Sequence, residues 1–141
     1  MNDLETAKEF LKKKHLSLVI VKDGTTIFHS RSSGISGLLE AVEILRNDLN
    51  GSSVADRVVG RAAGLLLASS RVGVVYALTL SVEGLKVLEE NKVPLQYEML
   101  VPKILDKSGR DICPFERFSM TIGSLSEAYE KLKNFAETLK K

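Results

Sequence analysis

The sequence predicts an α/β domain, a three-layer α/β/α sandwich around a mixed sheet, and three features carry that expectation. Segments of helical period alternate with short β-rich segments. The hairpin signal Lys22-Asp23-Gly24 calls for an antiparallel pair. Val72 to Leu80 is apolar throughout, interrupted only by Gly73 and Thr79, as in an interior strand covered on both faces.

The elements follow in order. Asp3 to Lys14 places Leu4, Ala7 and Leu11 on one face of a short amphipathic helix. Leu16 to Val21 and Thr25 to His29 form the arms of the hairpin. A small-residue loop, Ser30 to Gly37, leads into a helix over Leu38 to Leu49, which Asn50-Gly51 stops. Ser53 and Asp56 have the spacing of a capping box and predict a third helix running to about Ser70. On that helix Gly60, Ala63 and Gly64 permit close backbone approach, and Val58, Ala62, Leu65 and Leu66 pack. Ser81 is the expected N-cap of a helix over Val82 to Asn91, and Val93-Pro94 opens a strand region reaching Leu105. Asp106 to Arg110 reads as a turn, and Asp111 to Met120 is ambiguous. Ser124 with Glu127 repeats the capping-box spacing before a last helix, with its stripe at Leu125, Tyr129, Leu132, Ala136 and Leu139.

A chain of 141 residues, 44% hydrophobic and 27% charged, suits one domain over residues 1–141 that buries a core without metal or disulfide support. The single cysteine, Cys113, has no intramolecular partner. The opening MNDLETAKEF carries no apolar signal segment, so a reducing cytoplasm is the expected location. No apolar run approaches the roughly 18 to 20 residues of a membrane span, so no membrane partner is expected. The net charge of +2 comes with lysines bunched at Lys12-Lys13-Lys14 and Lys140-Lys141, at predicted helix ends, where they complement the dipole. That pattern gives little case for nucleic acid as a partner.

The element order over residues 16–135 resembles the cytidine deaminase-like fold. More closely, Asp56-Arg57-Val58-Val59-Gly60-Arg61-Ala62-Ala63-Gly64 and Cys113-Pro114-Phe115-Glu116 are similar to stretches of an uncharacterised bacterial domain family grouped with that superfamily. For zinc deaminases the resemblance implies a His or Cys with Glu opening the buried helix, and Pro-Cys-x-x-Cys opening the next, because zinc must activate the attacking water. This sequence departs at every ligand, with Gly60-Arg61-Ala62-Ala63 and Leu80-Ser81-Val82-Glu83-Gly84 at those places. His15 and His29 fall near opposite ends of the hairpin and do not replace the missing set. Zinc-dependent deamination is therefore not expected, and no metal or other cofactor is called for.

Six residues remain as candidates. Cys113 is the best nucleophile the chain offers, with Arg110, Arg117, Asp111 and Glu116 as mixed-sign neighbours, although free cysteines are commonly core residues. Glu116 is a candidate acid-base group or an ordinary loop glutamate. Asp56 and Arg57 are expected in the opening of the small-faced helix, toward the strand ends, and Arg61 one turn on, so that both guanidiniums could face one anion. Asp56 is equally suited to capping alone, and Ser81 is an N-cap first and a ligand contact second. The Ser30 to Gly37 loop, with Arg31, has ingredients for holding phosphate but lacks the P-loop pattern.

The leading expectation is a zinc-less relative of the deaminase-like fold that binds a small metabolite, of nucleotide or nucleoside class, where zinc would sit. Asp56, Arg57, Arg61, Ser81, Cys113 and Glu116 would line that place. Two alternatives stay open: an enzyme with Cys113 as nucleophile, and a non-catalytic interaction module that self-associates as a homo-oligomer.

Overall fold

A computed structural model describes residues 2–140, which leaves Lys141 of the terminal lysine pair outside the described residues. Helix α1 (Asp3–Lys13) opens on Asn2, whose side chain accepts the Glu5 N–H. The hairpin follows as β1 (Leu18–Lys22) and β2 (Thr25–Ser30), with Gly24 at φ +80° in its turn. Helix α2 (Ser36–Leu45) tightens into a 3-10 turn over Arg46–Leu49. Next come β3 (Ser53–Val59), α3 (Arg61–Ser69), β4 (Val74–Ser81), α4 (Val82–Glu90) and β5 (Leu95–Val101). Helix α5 (Pro114–Ser119), a 3-10 turn over Leu125–Glu127 and α6 (Ala128–Leu139) complete the order.

The five strands form one mixed sheet in the order β2-β1-β3-β4-β5. β1 is antiparallel to both β2 and β3, whereas β3, β4 and β5 run parallel. Helix α1 lies on one face against β1, β3 and β4, and buries Leu4, Ala7 and Leu11 with Val19, Val21, Ala55 and Tyr76. The larger core lies on the other face, where Leu18, Ile20, Val54, Val75 and Ala77 meet α2, α3 and α4. Helix α6 packs across α2, α3 and α5. β5 is a sheet edge and leaves Tyr97, Met99 and Leu100 exposed. Among the described residues no helix is long and apolar enough to cross a membrane.

One expected element is corrected. Ser53 does not cap a helix; residues 53–59 are β3, between β1 and β4 in the sheet, and the helix begins only at Arg61. The β-branched Val54, Val58 and Val59 favour a pleated, two-sided environment, and Gly60, extended at φ −108° and ψ −162°, ends the strand. Asp56 and Arg57 are thus consecutive strand residues with side chains on opposite faces, and Arg61 is not one helical turn beyond Arg57. The capping box expected at Ser124 is also absent: its hydroxyl meets that of Ser126, and a 3-10 turn precedes α6.

The ends of the helices share a pattern. After α2, α3 and α4, a basic residue stands at positive φ where glycine is usual: Arg46 at 48°, Arg71 at 56° and Lys92 at 57°.

Gly84 sets the approach of α4 to the start of α3, and Gly60 that of α5. A Cβ on Gly84 would lie 2.9 Å from the backbone oxygens of Gly60 and Val59, and one on Gly60 would overlap the Glu116 carboxylate. Gly84→Ala forces backbone apart where nothing flexible can yield. It is expected to lower unfolding stability by about 1–3 kcal/mol in urea titrations, against less than about 1 kcal/mol for the same change at exposed Gly123, which has open space around it.

Candidate functional site

The site forms at the C-terminal ends of the parallel strands, where α/β sheets commonly bind ligands. Its centre is the start of α3. Glu116, carried on α5, accepts the Arg61 N–H at 2.6 Å on Oε1 and the Ala62 N–H at 2.9 Å on Oε2. A helix begins with N–H groups that lack intrahelical partners and carry partial positive charge, so a bidentate carboxylate is a strong cap. The Arg61 side chain returns the contact: Nε donates to the Ser119 carbonyl at 3.1 Å and Nη2 to that of Ile122 at 2.9 Å. Each helix therefore satisfies the end of the other.

Aromatic packing holds α5 in position. Phe118 stacks on Phe135 of α6 with centroids 4.4 Å apart, and Phe115 meets the same ring edge-on at 5.3 Å. Upstream, a Leu105–Ile112 bridge closes the turn, the Cys113 N–H donates to the Ile104 carbonyl at 3.0 Å, and Pro114 starts the helix. This order was not readable from residues 111–120 alone, because the segment is short and its partners lie on α3 and α6.

Two cavities flank Glu116. A chamber of about 60 Å³ is lined by Asp56, Cys113 and Glu116 together with Gly34, Ile35, Leu38, Val58, Gly60, Ala62, Ala63, Ile104 and Phe115. On the other side of Ile104 and Glu116, an open cleft of about 550 Å³ is lined by Arg61, Ser81, Val82, Glu83, Pro102, Lys103, Ile104, Ile112, Glu116, Arg117 and Met120. Asp56, Cys113 and Glu116 are thus brought together, and Arg61 and Ser81 meet Glu116 across the second cavity.

Arg57 is elsewhere. It points to the α1 face, where Nε donates to the Leu16 carbonyl at 2.6 Å and Nη2 to that of Leu11 at 3.4 Å. Those bonds tie the end of α1 to β3. Ser81 is buried, and its Oγ accepts the Gly84 N–H at 3.0 Å as the N-cap of α4. Arg31 leaves its loop to donate to the Lys14 carbonyl at 3.0 Å. Sequence reasoning missed the chamber wall at Ile35 and Leu38 and the cleft residues Glu83, Lys103 and Met120; their types carry no motif.

The two acidic groups are unusual. Asp56 keeps some accessible surface because it lines the chamber, yet its carboxyl is deeply enclosed, and burial pushes its pKa up to about 7. The Val58 N–H, at 3.3 Å from Oδ1, opposes that rise only in part. Burial likewise raises Glu116 above the ordinary carboxylate range, against the pull of the Ala62 and Arg61 N–H groups.

The zinc of deaminases does not fit these residues. Glu116 fills the space in front of α3, and both its oxygens are taken by backbone N–H groups. Among the described residues, no group of three or more His, Cys, Asp or Glu is placed to hold a metal ion.

RibD of Acinetobacter baumannii superposes with a TM-score of 0.52 at 14% identity, over 67% of this chain and 33% of that one. The apo dCMP deaminase of cyanophage S-TIM5 gives 0.48 at 18% identity, over 68% and 94%. The fold is cytidine deaminase-like. Residues 6–136 match the domain of unknown function DUF1893 (TM1506), and the chain belongs to that family. The crystal structure of the DUF1893 family protein TM1506 from Thermotoga maritima is 31% identical, with a TM-score of 0.87 over 94% of this chain and 89% of that one. No curated protein matches the chain.

Two outcomes follow for the acidic groups. Folded Asp56 holds its proton to a higher pH than it does in the unfolded chain, so its contribution to stability is full below about pH 4 and is lost as pH rises through about 7. Relative to Asp56→Asn, the wild type is expected to lose up to about 4 kcal/mol between pH 4 and pH 8 in urea titrations, a displacement of about three pKa units at 1.36 kcal/mol each; a difference that stays constant with pH contradicts the burial assigned to it. Glu116→Ala strands two helix N–H groups and is expected to cost about 2–3 kcal/mol, of which Glu116→Gln recovers part, since one amide oxygen replaces two carboxylate oxygens.

Proposed function

We propose that this domain binds a small metabolite, of nucleoside or nucleotide class, in the cleft between the start of α4, residues 102–104 and α5. The observation that carries the reading is the cleft itself: about 550 Å³, at the strand ends, with apolar walls and a few converging polar groups. That volume falls in the usual range for small-molecule sites. Val82, Pro102, Ile104, Ile112 and Met120 offer surfaces for a flat ring, while Glu83, Lys103, Arg117 and the Ser81 end of β4 offer polar contacts of both signs. The cations of Lys103 and Arg117 in its lining suit an anionic substituent at the mouth. The reading needs no catalytic step.

Titration of nucleosides and nucleotides against ¹⁵N-labelled protein is expected to shift the amides of Val82, Ile104 and Met120. Val82→Arg, which puts a charge among the apolar walls at a residue already 37% exposed, should weaken that binding at least tenfold with the thermal midpoint nearly unchanged. No shift from any member of a broad panel contradicts the proposal.

A second reading, with Cys113 as nucleophile, is favoured by one observation: Cys113 shares the chamber with the Asp56 carboxyl, a candidate base. It predicts that iodoacetamide alkylates Cys113 in the native protein with a pH profile that Asp56→Asn changes. Alkylation only upon unfolding counts against it.

A further inference from the structure

The chamber beside Asp56 has a chemistry that its motifs do not announce. Its walls are mostly carbon and glycine, and its volume of about 60 Å³ is about twice the share of one liquid water, room for a group of a few heavy atoms. Three polar side chains reach it. Glu116 has both oxygens engaged by α3, and Cys113 is a weak donor. Asp56 accepts the Val58 N–H on Oδ1, and the Arg57 N–H also lies close enough to its carboxyl to oppose the rise in its pKa.

We propose that this chamber is a subsite for a small uncharged polar group, a carboxamide or ring amide, whose carbonyl oxygen accepts a hydrogen bond from the Asp56 carboxyl. The inference rests on the cleft reading only in taking the chamber, which shares Ile104 and Glu116 with the cleft, as part of the same ligand site.

Charge decides among the alternatives. An anion would meet two carboxyl groups, Asp56 and Glu116, with no cation free to answer it: Arg61 is spent on the Ser119 and Ile122 carbonyls, and Arg57 lies on the opposite face of the sheet. A cation would have to leave water for walls of Ile35, Leu38, Ala63 and Phe115, a cost that one ion pair seldom repays. A neutral amide leaves less hydration behind, and its acceptor matches the one donor that a protonated carboxyl supplies.

The groups facing Asp56 bear on its titration. They are Glu116 on α5 and Cys113 just before it; the walls from the start of α2 and from α3 bring Ile35, Leu38, Ala62 and Ala63, none of which titrates, and the flanking strand partners are Leu18 and Ala77. Asp56 holds its proton up to about pH 7, so binding that needs this proton should weaken about tenfold for each pH unit above that point.

Acetamide, acetate and acetamidinium have nearly the same shape and differ in charge, which makes them direct probes. Titrated into the ¹⁵N-labelled protein at pH 6, acetamide is expected to shift the amides of Gly34, Gly60, Ala63 and Cys113, and to do so at least tenfold more weakly at pH 8.5. Acetate and acetamidinium should leave them in place. Asp56→Asn, which keeps a neutral donor, should bind acetamide with no such pH dependence. Acetamidinium binding that tightens as pH rises would make the chamber a cation site and overturn the proposal, as would the absence of any acetamide shift in the folded wild type. Neither result depends on nucleosides entering the cleft, so the two readings fail separately.

Discussion

The carboxylate of Glu116 at the head of α3 is the contact on which the rest of the site depends. Helix α3 is buried along most of its length, so its first N–H groups cannot turn to bulk water for partners. A side chain from another element has to supply them, and Gly60 leaves the room that a Cβ would close. Arg61 then uses its own side chain to hold the end of α5, so cap and capped helix fix one another. The Phe115, Phe118 and Phe135 cluster presses α5 into that position. An interaction of this kind is worth more than its two hydrogen bonds because it also sets where α5 lies.

Placing α5 there divides the strand-end region in two. One side is the small chamber with Asp56 and Cys113, the other the larger cleft with Ser81, Glu83 and Arg117. The start of α3 is answered by the Glu116 carboxylate and the start of α4 by the Ser81 hydroxyl. The same backbone dipoles are satisfied by different chemistry. Fold likeness alone gives no reaction.

Much of the architecture was legible in the sequence because it rests on local signals. The Asp23-Gly24 turn, the apolar β4 run and Ser81 before α4 each act within a few residues. The failure at Ser53 is instructive: the spacing of a capping box is local too, yet the segment inserts between β1 and β4 as a strand that buries Val54, Ala55 and Val59 completely. That error carried Asp56 and Arg57 onto one imagined helix, when alternation along a strand sends them to opposite faces. The site was partly legible, in that Asp56, Cys113 and Glu116 do share a chamber. The tasks of Glu116 and Arg61 were not, because each is defined by partners 54 to 61 positions away.

Hydrogen exchange at two amides tests the central contact most directly. First-turn amides of a helix normally exchange fast, since nothing within the helix protects them. With Glu116 in place, Arg61 and Ala62 should exchange as slowly as amides deeper in α3, and Glu116→Ala should release these two before the rest of the helix. Fast exchange at Arg61 and Ala62 in the wild type, with the remainder of α3 protected, would contradict the account.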